Sequence, residues 1–123
     1  MGSPASLEAV ASAIGDPVRA RILDLLAQGR HGPCCSPTNP SVPRAVCACD
    51  IRDALGGMAA SRLAYHLRVL RQAGLVREAR RGKWVYYTLD SLAFDGFSRA
   101  VEARWAATAA RPPARARRRG PSR

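Results

Sequence analysis

Four of the 123 residues are cysteines, and all four fall within sixteen positions: Cys34 and Cys35 side by side, then Cys47 and Cys49 with one residue between them. His31 is the only imidazole nearby. Soft thiolates in such company favour thiophilic ions over magnesium, calcium or manganese. A structural zinc site asks for CxxC or CxxC/HxxxH spacing, which CC and CxC match poorly. The plainer alternative is that some of these residues are small buried hydrophobes, although the prolines around Cys34-Cys35 speak against deep burial there. The N-terminus carries no basic patch followed by a long apolar stretch, and no apolar run approaches the roughly 18 residues of a membrane span. A reducing cytoplasm is therefore the expected setting, where thiols serve ligation or redox chemistry more often than a disulfide framework.

The segments around the cysteines read as a helical domain with a small hairpin. Leu7–Ile14 has apolar residues at helical spacing and is closed by Gly15-Asp16-Pro17. Asp16 is placed to cap a second helix, Val18–Ala27, with Pro17 at its first position. That helix buries Val18, Ile22, Leu25 and Leu26, and Arg19 and Arg21 lie off its apolar face as solvated side chains. Residues 30–46 hold four prolines and no helical pattern, the mark of an irregular loop; its length suggests function or disorder. Cys47 and Cys49 then open a short helix, with Asp50 as a candidate cap, which Gly56-Gly57 breaks.

Met58–Ala73 follows helical periodicity, with Ala59, Leu63, Leu67 and Leu70 on one face and Ser61, Tyr65, Arg68 and Gln72 on the other. Gly74 ends it. Leu75–Arg80 and Lys83–Leu89 read as two strands around Arg81-Gly82. Asp90 caps a last helix, Ser91–Ala110, whose Leu92, Phe94, Phe97, Val101 and Trp105 form a broad apolar surface. The expected fold is mainly α with a small β-hairpin wing, an α+β winged helix-turn-helix spanning residues 1–110 with the cysteine loop 30–46 inserted. Residues 111–123 read as a disordered Arg/Pro-rich tail.

Helix, turn, helix and basic hairpin point to double-stranded DNA. The formal net charge is +11. Six of the twenty basic residues sit in the tail, so residues 1–110 keep fourteen against nine acidic ones, and the folded part is basic in its own right. The predominance of arginine over lysine follows from a GC-rich genome and is no argument for DNA. Candidate DNA-binding residues are Ser61, Arg62, Tyr65, His66 and Arg68 on the reading helix and Arg80, Arg81 and Lys83 in the wing. For His66, beside the apolar face, a partly buried structural imidazole stands equally open. The first and last helices each keep an apolar face with little intrachain core to cover, so Leu7, Val10, Leu92, Phe97, Val101 and Trp105 are candidates for a two-fold dimer interface.

GDPVRARILDLL, VCACDI, SRLAYHLRVLRQAGLVR and RGKWVYYTLD together resemble the ArsR/SmtB family of metal- and metalloid-sensing repressors, from about Leu7 to Trp105 with the 30s loop left out. The resemblance implies a cytoplasmic homodimer that occupies an inverted-repeat operator until an inducer binds. The CxCD segment is similar to the family's arsenic-type site, which carries over to Cys47 and Cys49. Arsenic sensors of this type supply a third cysteine three residues after the second, where this chain has Arg52, so the third thiolate falls to Cys34 or Cys35. The last helix lacks the histidine that a zinc or nickel site there would need. Ala60 and Ala64 stand where polar residues are common in the reading helix. The expectation is a repressor released by As(III), or by Sb(III), through Cys34, Cys35, Cys47 and Cys49. Cd(II) or Pb(II) on the same sulfurs, and a thiol-redox or sulfide sensor, remain alternatives. No acid–base or organic-cofactor constellation suggests an enzyme, and no membrane partner is expected.

Overall fold

The computed structural model describes residues 5–30 and 36–110; His31, Cys34, Cys35 and the tail 111–123 lie outside the described residues. The element order is α1 (Leu7–Ile14), α2 (Pro17–Gln28), β1 (Val46–Cys47), α3 (Ala48–Ala54), α4 (Ala60–Gln72), β2 (Val76–Arg81), β3 (Trp84–Leu89) and α5 (Ser91–Val101), followed by a π-helical turn over Glu102–Ala106. This is an α+β winged helix-turn-helix, with α3 and α4 as the helix pair and β2–β3 as the wing.

Local chemistry sets most of the boundaries. Asp16 Oδ1 accepts from the N–H groups of Val18 and Arg19 at 2.8 and 3.1 Å, and Pro17 enters α2 where its missing N–H costs nothing. Such a cap stabilises a helix by about 1 kcal/mol. Asp90 caps α5 in the same way, through Leu92 and Ala93. α4 ends in a Schellman motif: Leu75 N–H returns to Leu70 O and Gly74 N–H to Arg71 O, with Gly74 at φ +80° as the left-handed residue the motif requires. Leu70 and Leu75, the apolar pair that accompanies it, are both fully buried. In the wing, Arg81 pairs with Trp84, so the turn is Gly82-Lys83, one residue later than the sequence suggested. Only Gly82, at φ +62°, needs a positive φ, as in a II′ hairpin turn with glycine first.

The main core joins Ile22, Leu25 and Leu26 of α2, Ile51 of α3 and Leu63, Leu67 and Leu70 of α4, with Val10 and Ala13 of α1 completing it. Burying each large aliphatic side chain contributes about 1.5–3 kcal/mol. A second, smaller core lies under the wing: Ala45, Cys47 and Tyr86 are buried, with Val42, Cys49 and Trp84 packed around them.

Several expectations are corrected. The sheet has three strands in the order β1-β3-β2, because Val46 and Cys47 pair with Tyr87 and Tyr86. Asp50 does not cap α3. Cys47 holds that position without a side-chain cap bond, and Asp50 sits in the first turn, its Oδ2 3.9 Å from Arg30 Nε. α4 begins at Ala60 rather than Met58, and the last helix is α only to Val101. Over its described part, the 30s loop is packed rather than free. Arg30 donates to Pro37 O at 2.8 Å and to Ser36 O, Arg44 donates to Ala27 O at 2.8 Å, and Ser36 and Asn39 are buried.

Arg19 is not a solvated side chain either. Its Nε donates to Ala13 O at 2.8 Å and its Nη1 to His66 Nδ1 at 3.1 Å, pinning α1 and α2 to α4. Arginine has only donors, so His66 Nδ1 must accept, and the bond requires a neutral imidazole. Burial lowers the His66 pKa from its ordinary 6.5; Asp16 opposes that shift, while Arg19 and Arg62 add to it. A histidine with a depressed folded pKa contributes stability that is fully present above 6.5 and is lost as pH falls from there towards the folded value. The Tm of the wild type is therefore expected to fall more steeply below pH 6.5 than that of His66→Asn, which keeps an acceptor but cannot titrate. Parallel melting curves for the two proteins would sink this account.

Candidate thiol site and nucleic-acid interface

In a regular helix, side chains two residues apart point about 200° away from each other, and from that rule two-thiol ligation at Cys47 and Cys49 would have to unwind the start of α3. The structure removes the conflict. Cys47 precedes the helix in extended conformation, at φ −78° and ψ 157°, while Cys49 lies in the first turn. One extended residue brings the two Sγ atoms to 2.8 Å from each other with the helix intact. Cys47 is 1% exposed; Cys49 is half-buried and disulfide-bonded. Both sulfurs can act as thiolate ligands only after reduction of Cys49.

A cavity of about 300 Å³ adjoins the pair, walled by Cys47, Cys49, Arg52, Ala60, Lys83 and Trp84. It is bounded by α3, the start of α4 and the wing, so the two cysteines share this space with Lys83 of the wing turn and Trp84 at the start of β3. Two converging thiols fit two positions of a thiophilic ion. Among the described residues no group of three or more His, Cys, Asp or Glu side chains could hold a metal. A third protein thiolate would have to be Cys34 or Cys35, which lie outside the described residues.

On the outer face of α4, Ser61, Arg62, Tyr65 and Arg68 are all exposed, and Arg68 lies 5.9 Å over the Tyr65 ring. His66 is 6% exposed and faces Arg19, away from this surface. Arg80, Arg81 and Lys83 are exposed on the wing. Arg80 is 3.6 Å from Glu78, and Lys83 stands 5.0 Å over the Trp84 ring. Arg52 and Lys83 line the thiol cavity, and Arg62 and Arg68 stand exposed further along α4. Arg52 was not anticipated as part of this surface; its Nε holds Met58 O at 2.9 Å, bracing the turn between α3 and α4.

A second, apolar groove of about 580 Å³ runs between α1 and α5, with Leu7, Val10, Leu92, Ala93, Phe97 and Ala100 among its walls. Leu92 is 76% and Trp105 54% exposed, while Leu7, Phe97 and Val101 are half-buried. Val10 is 6% exposed and belongs to the core of its own chain, so most of its surface is already covered. Arg104 bonds Glu8 at 2.7 Å, tying the π turn back to α1.

Residues 44–78 match the family described as bacterial regulatory protein, arsR family. This segment is similar to the helix-turn-helix of that family. Solved structures agree on the fold. A possible transcriptional regulatory protein of Mycobacterium bovis is 26% identical, with a TM-score of 0.55 over 79% of this chain and 88% of that one. An ArsR-like transcriptional regulator from Rhodococcus sp. RHA1 is 23% identical, with a TM-score of 0.59 over 82% and 80%. A possible transcriptional regulator for arsenical resistance is 23% identical, with a TM-score of 0.60 over 86% of this chain and all of that one. No curated protein sequence matches the chain significantly.

The matched segment runs from Arg44 through β1, α3 and α4 into β2, so it contains both Cys47 and Cys49 and the outer face of α4. The wing turn, α1 and α5 lie beyond it. No helix among the described residues is long and apolar enough to cross a membrane. The unequal burial of the two sulfurs gives a direct check. After reduction, Cys49 is expected to be alkylated by iodoacetamide well before Cys47, with the difference abolished in denaturant; peptide mass spectrometry reads both rates. Equal rates in the folded protein would contradict the burial of Cys47 under the wing.

Proposed function

We propose that this protein is a DNA-binding transcriptional repressor of the ArsR type that leaves its operator when As(III), or Sb(III), binds its cysteine thiolates. The observation that carries the reading is the 2.8 Å approach of Cys47 and Cys49 Sγ inside the ArsR-family segment. Each As–S bond forms as a thiol yields its proton to a departing hydroxide, so binding releases water and needs no oxidant. Cys34 or Cys35 supplies the third sulfur in this reading. Two copies meet across the α1/α5 groove, and their α4 helices reach successive major grooves of an inverted repeat, about 34–36 Å apart.

Carrying a population from mostly bound to mostly free requires the inducer to favour the released form by about 5.5 kcal/mol. Sulfur bonds that form in only one of the two states can supply that difference. A second reading, thiol-redox sensing, is favoured by one specific feature: Cys49 is disulfide-bonded, with its Sγ 2.8 Å from that of Cys47. Titrating reduced, operator-bound protein with arsenite and, separately, with a thiol oxidant distinguishes the two.

Cys47→Ser and Cys49→Ser are expected to bind the operator as the wild type does and to stay bound in arsenite. Release of either variant at the wild-type arsenite concentration would remove the pair from the sensor. On the DNA side, Arg68→Ala is expected to cost about 1–3 kcal/mol at the operator and to relax sequence preference, whereas Arg81→Ala lowers affinity for all sequences and reduces the salt slope by about 1. Gel-shift titrations over a salt series on operator and random DNA measure both, and a swapped pattern would reverse the assignment of base reading to α4 and phosphate contact to the wing.

A further inference from the structure

We propose that the state of the Cys47/Cys49 pair is transmitted to DNA through the wing, with Tyr86 as the positioning residue that couples them. The inference rests on the thiol-sensing reading above and adds the route by which it acts. Cys47 is the register partner of Tyr86 across the β1–β3 ladder, and on its other side Tyr86 pairs with Ala79 of β2. The Tyr86 side chain is fully buried, and its hydroxyl donates to Pro37 O at 2.6 Å. It therefore sits where the sensor strand, the wing and the packed part of the 30s loop meet.

The small core around it contains both candidate ligands and little else: Ala45, Cys47 and Tyr86, with Val42, Cys49 and Trp84 around them. Close-packed interiors switch between discrete arrangements rather than deforming smoothly. An ion or disulfide that draws the Cys47 and Cys49 sulfurs to new positions must repack this core, and β1 offers only two residues of ladder to resist. Trp84 is the first residue of β3 and lies in the same core, one step from Lys83 and three from Arg81, the exposed cations of the turn. A shift at the sulfurs is thus passed to the wing turn along one short strand. The competing route runs down α3 to the start of α4 through the Arg52 to Met58 bond, and it involves no part of Tyr86.

The test uses the reduced full chain bound to operator DNA, with arsenite, cadmium ion or the thiol oxidant diamide as separate probes and thiol counts to confirm that Cys47 and Cys49 are engaged. In the wild type, engagement is expected to move the amide resonances of Arg81, Gly82 and Lys83 and to lower operator affinity by about tenfold or more, within the range usual for coupled sites. Tyr86→Phe keeps the ring and loses the bond to Pro37. It is expected to bind DNA and probe as the wild type does but to retain less than about a third of the wild-type change in affinity, a loss of coupling that mere destabilisation would not produce. Wing resonances that stay still while the thiols are engaged would overturn the proposal from the wild type alone, whatever the variant's folding. A full response in Tyr86→Phe would overturn it equally. If arsenite leaves the thiols untouched while cadmium or diamide moves the wing, the As(III) reading falls and the coupling stands.

Discussion

Val46 and Cys47 add only two rungs to the sheet, yet the functional half of the molecule hangs on their extended backbone. Because Cys47 is in strand conformation when α3 begins one residue later, its sulfur turns towards that of Cys49 instead of away from it. The same two residues dock the start of the helix-turn-helix against the centre of β3. A conformation confined to one residue thereby determines both that two thiols can act as one site and that the site has the wing as its neighbour. Had α3 begun one turn earlier, the sulfurs would diverge and the link to Tyr86 would be lost.

Around that joint the fold is firmly braced at α4 and thinly held at the two cysteines. α4 is fixed by three buried leucines, a Schellman motif and the Arg19 to His66 bond, so its outer face is presented on a rigid rod. The second core is smaller, contains sulfur, and is closed by a two-residue strand and one tyrosine hydroxyl. Regions of few buried contacts are the ones that open most readily, and here the region lies next to the cations of the wing turn.

Much of this was legible before the structure. The helices show 3.6-residue periodicity, Asp16-Pro17 and Asp90 are unambiguous starts, Gly74 is an unambiguous stop, and the basic hairpin follows from its residue types. The illegible parts have physical reasons. β1 is too short to show any period, and its pairing partner lies about forty residues further on. Arg19 on the flank of an amphipathic helix reads as solvated, because nothing local reveals that Ala13 O and His66 Nδ1 stand within its reach. The approach of Cys47 and Cys49 depends on a single ψ angle, which residue types do not specify. His66, read as open between core and DNA, is decided for the core by a tertiary bond.

Arginine does two kinds of work in this chain, and the net charge counts them as one. Arg19, Arg30, Arg44 and Arg52 each donate to main-chain carbonyls between elements, acting as internal struts across the α1–α2 junction, the 30s loop and the helix-turn-helix turn. Among the described residues, Arg62, Arg68, Arg81 and Lys83 form no ion pair with an acidic side chain and stand exposed on α4 and the wing. The guanidinium fork, planar and carrying five donors in fixed geometry, braces two carbonyls, or a carbonyl and an imidazole, with less freedom lost per bond than an ammonium on a flexible stem. The same fold recoded with lysine would keep its positive charge while losing the fixed donor geometry of its internal bracing.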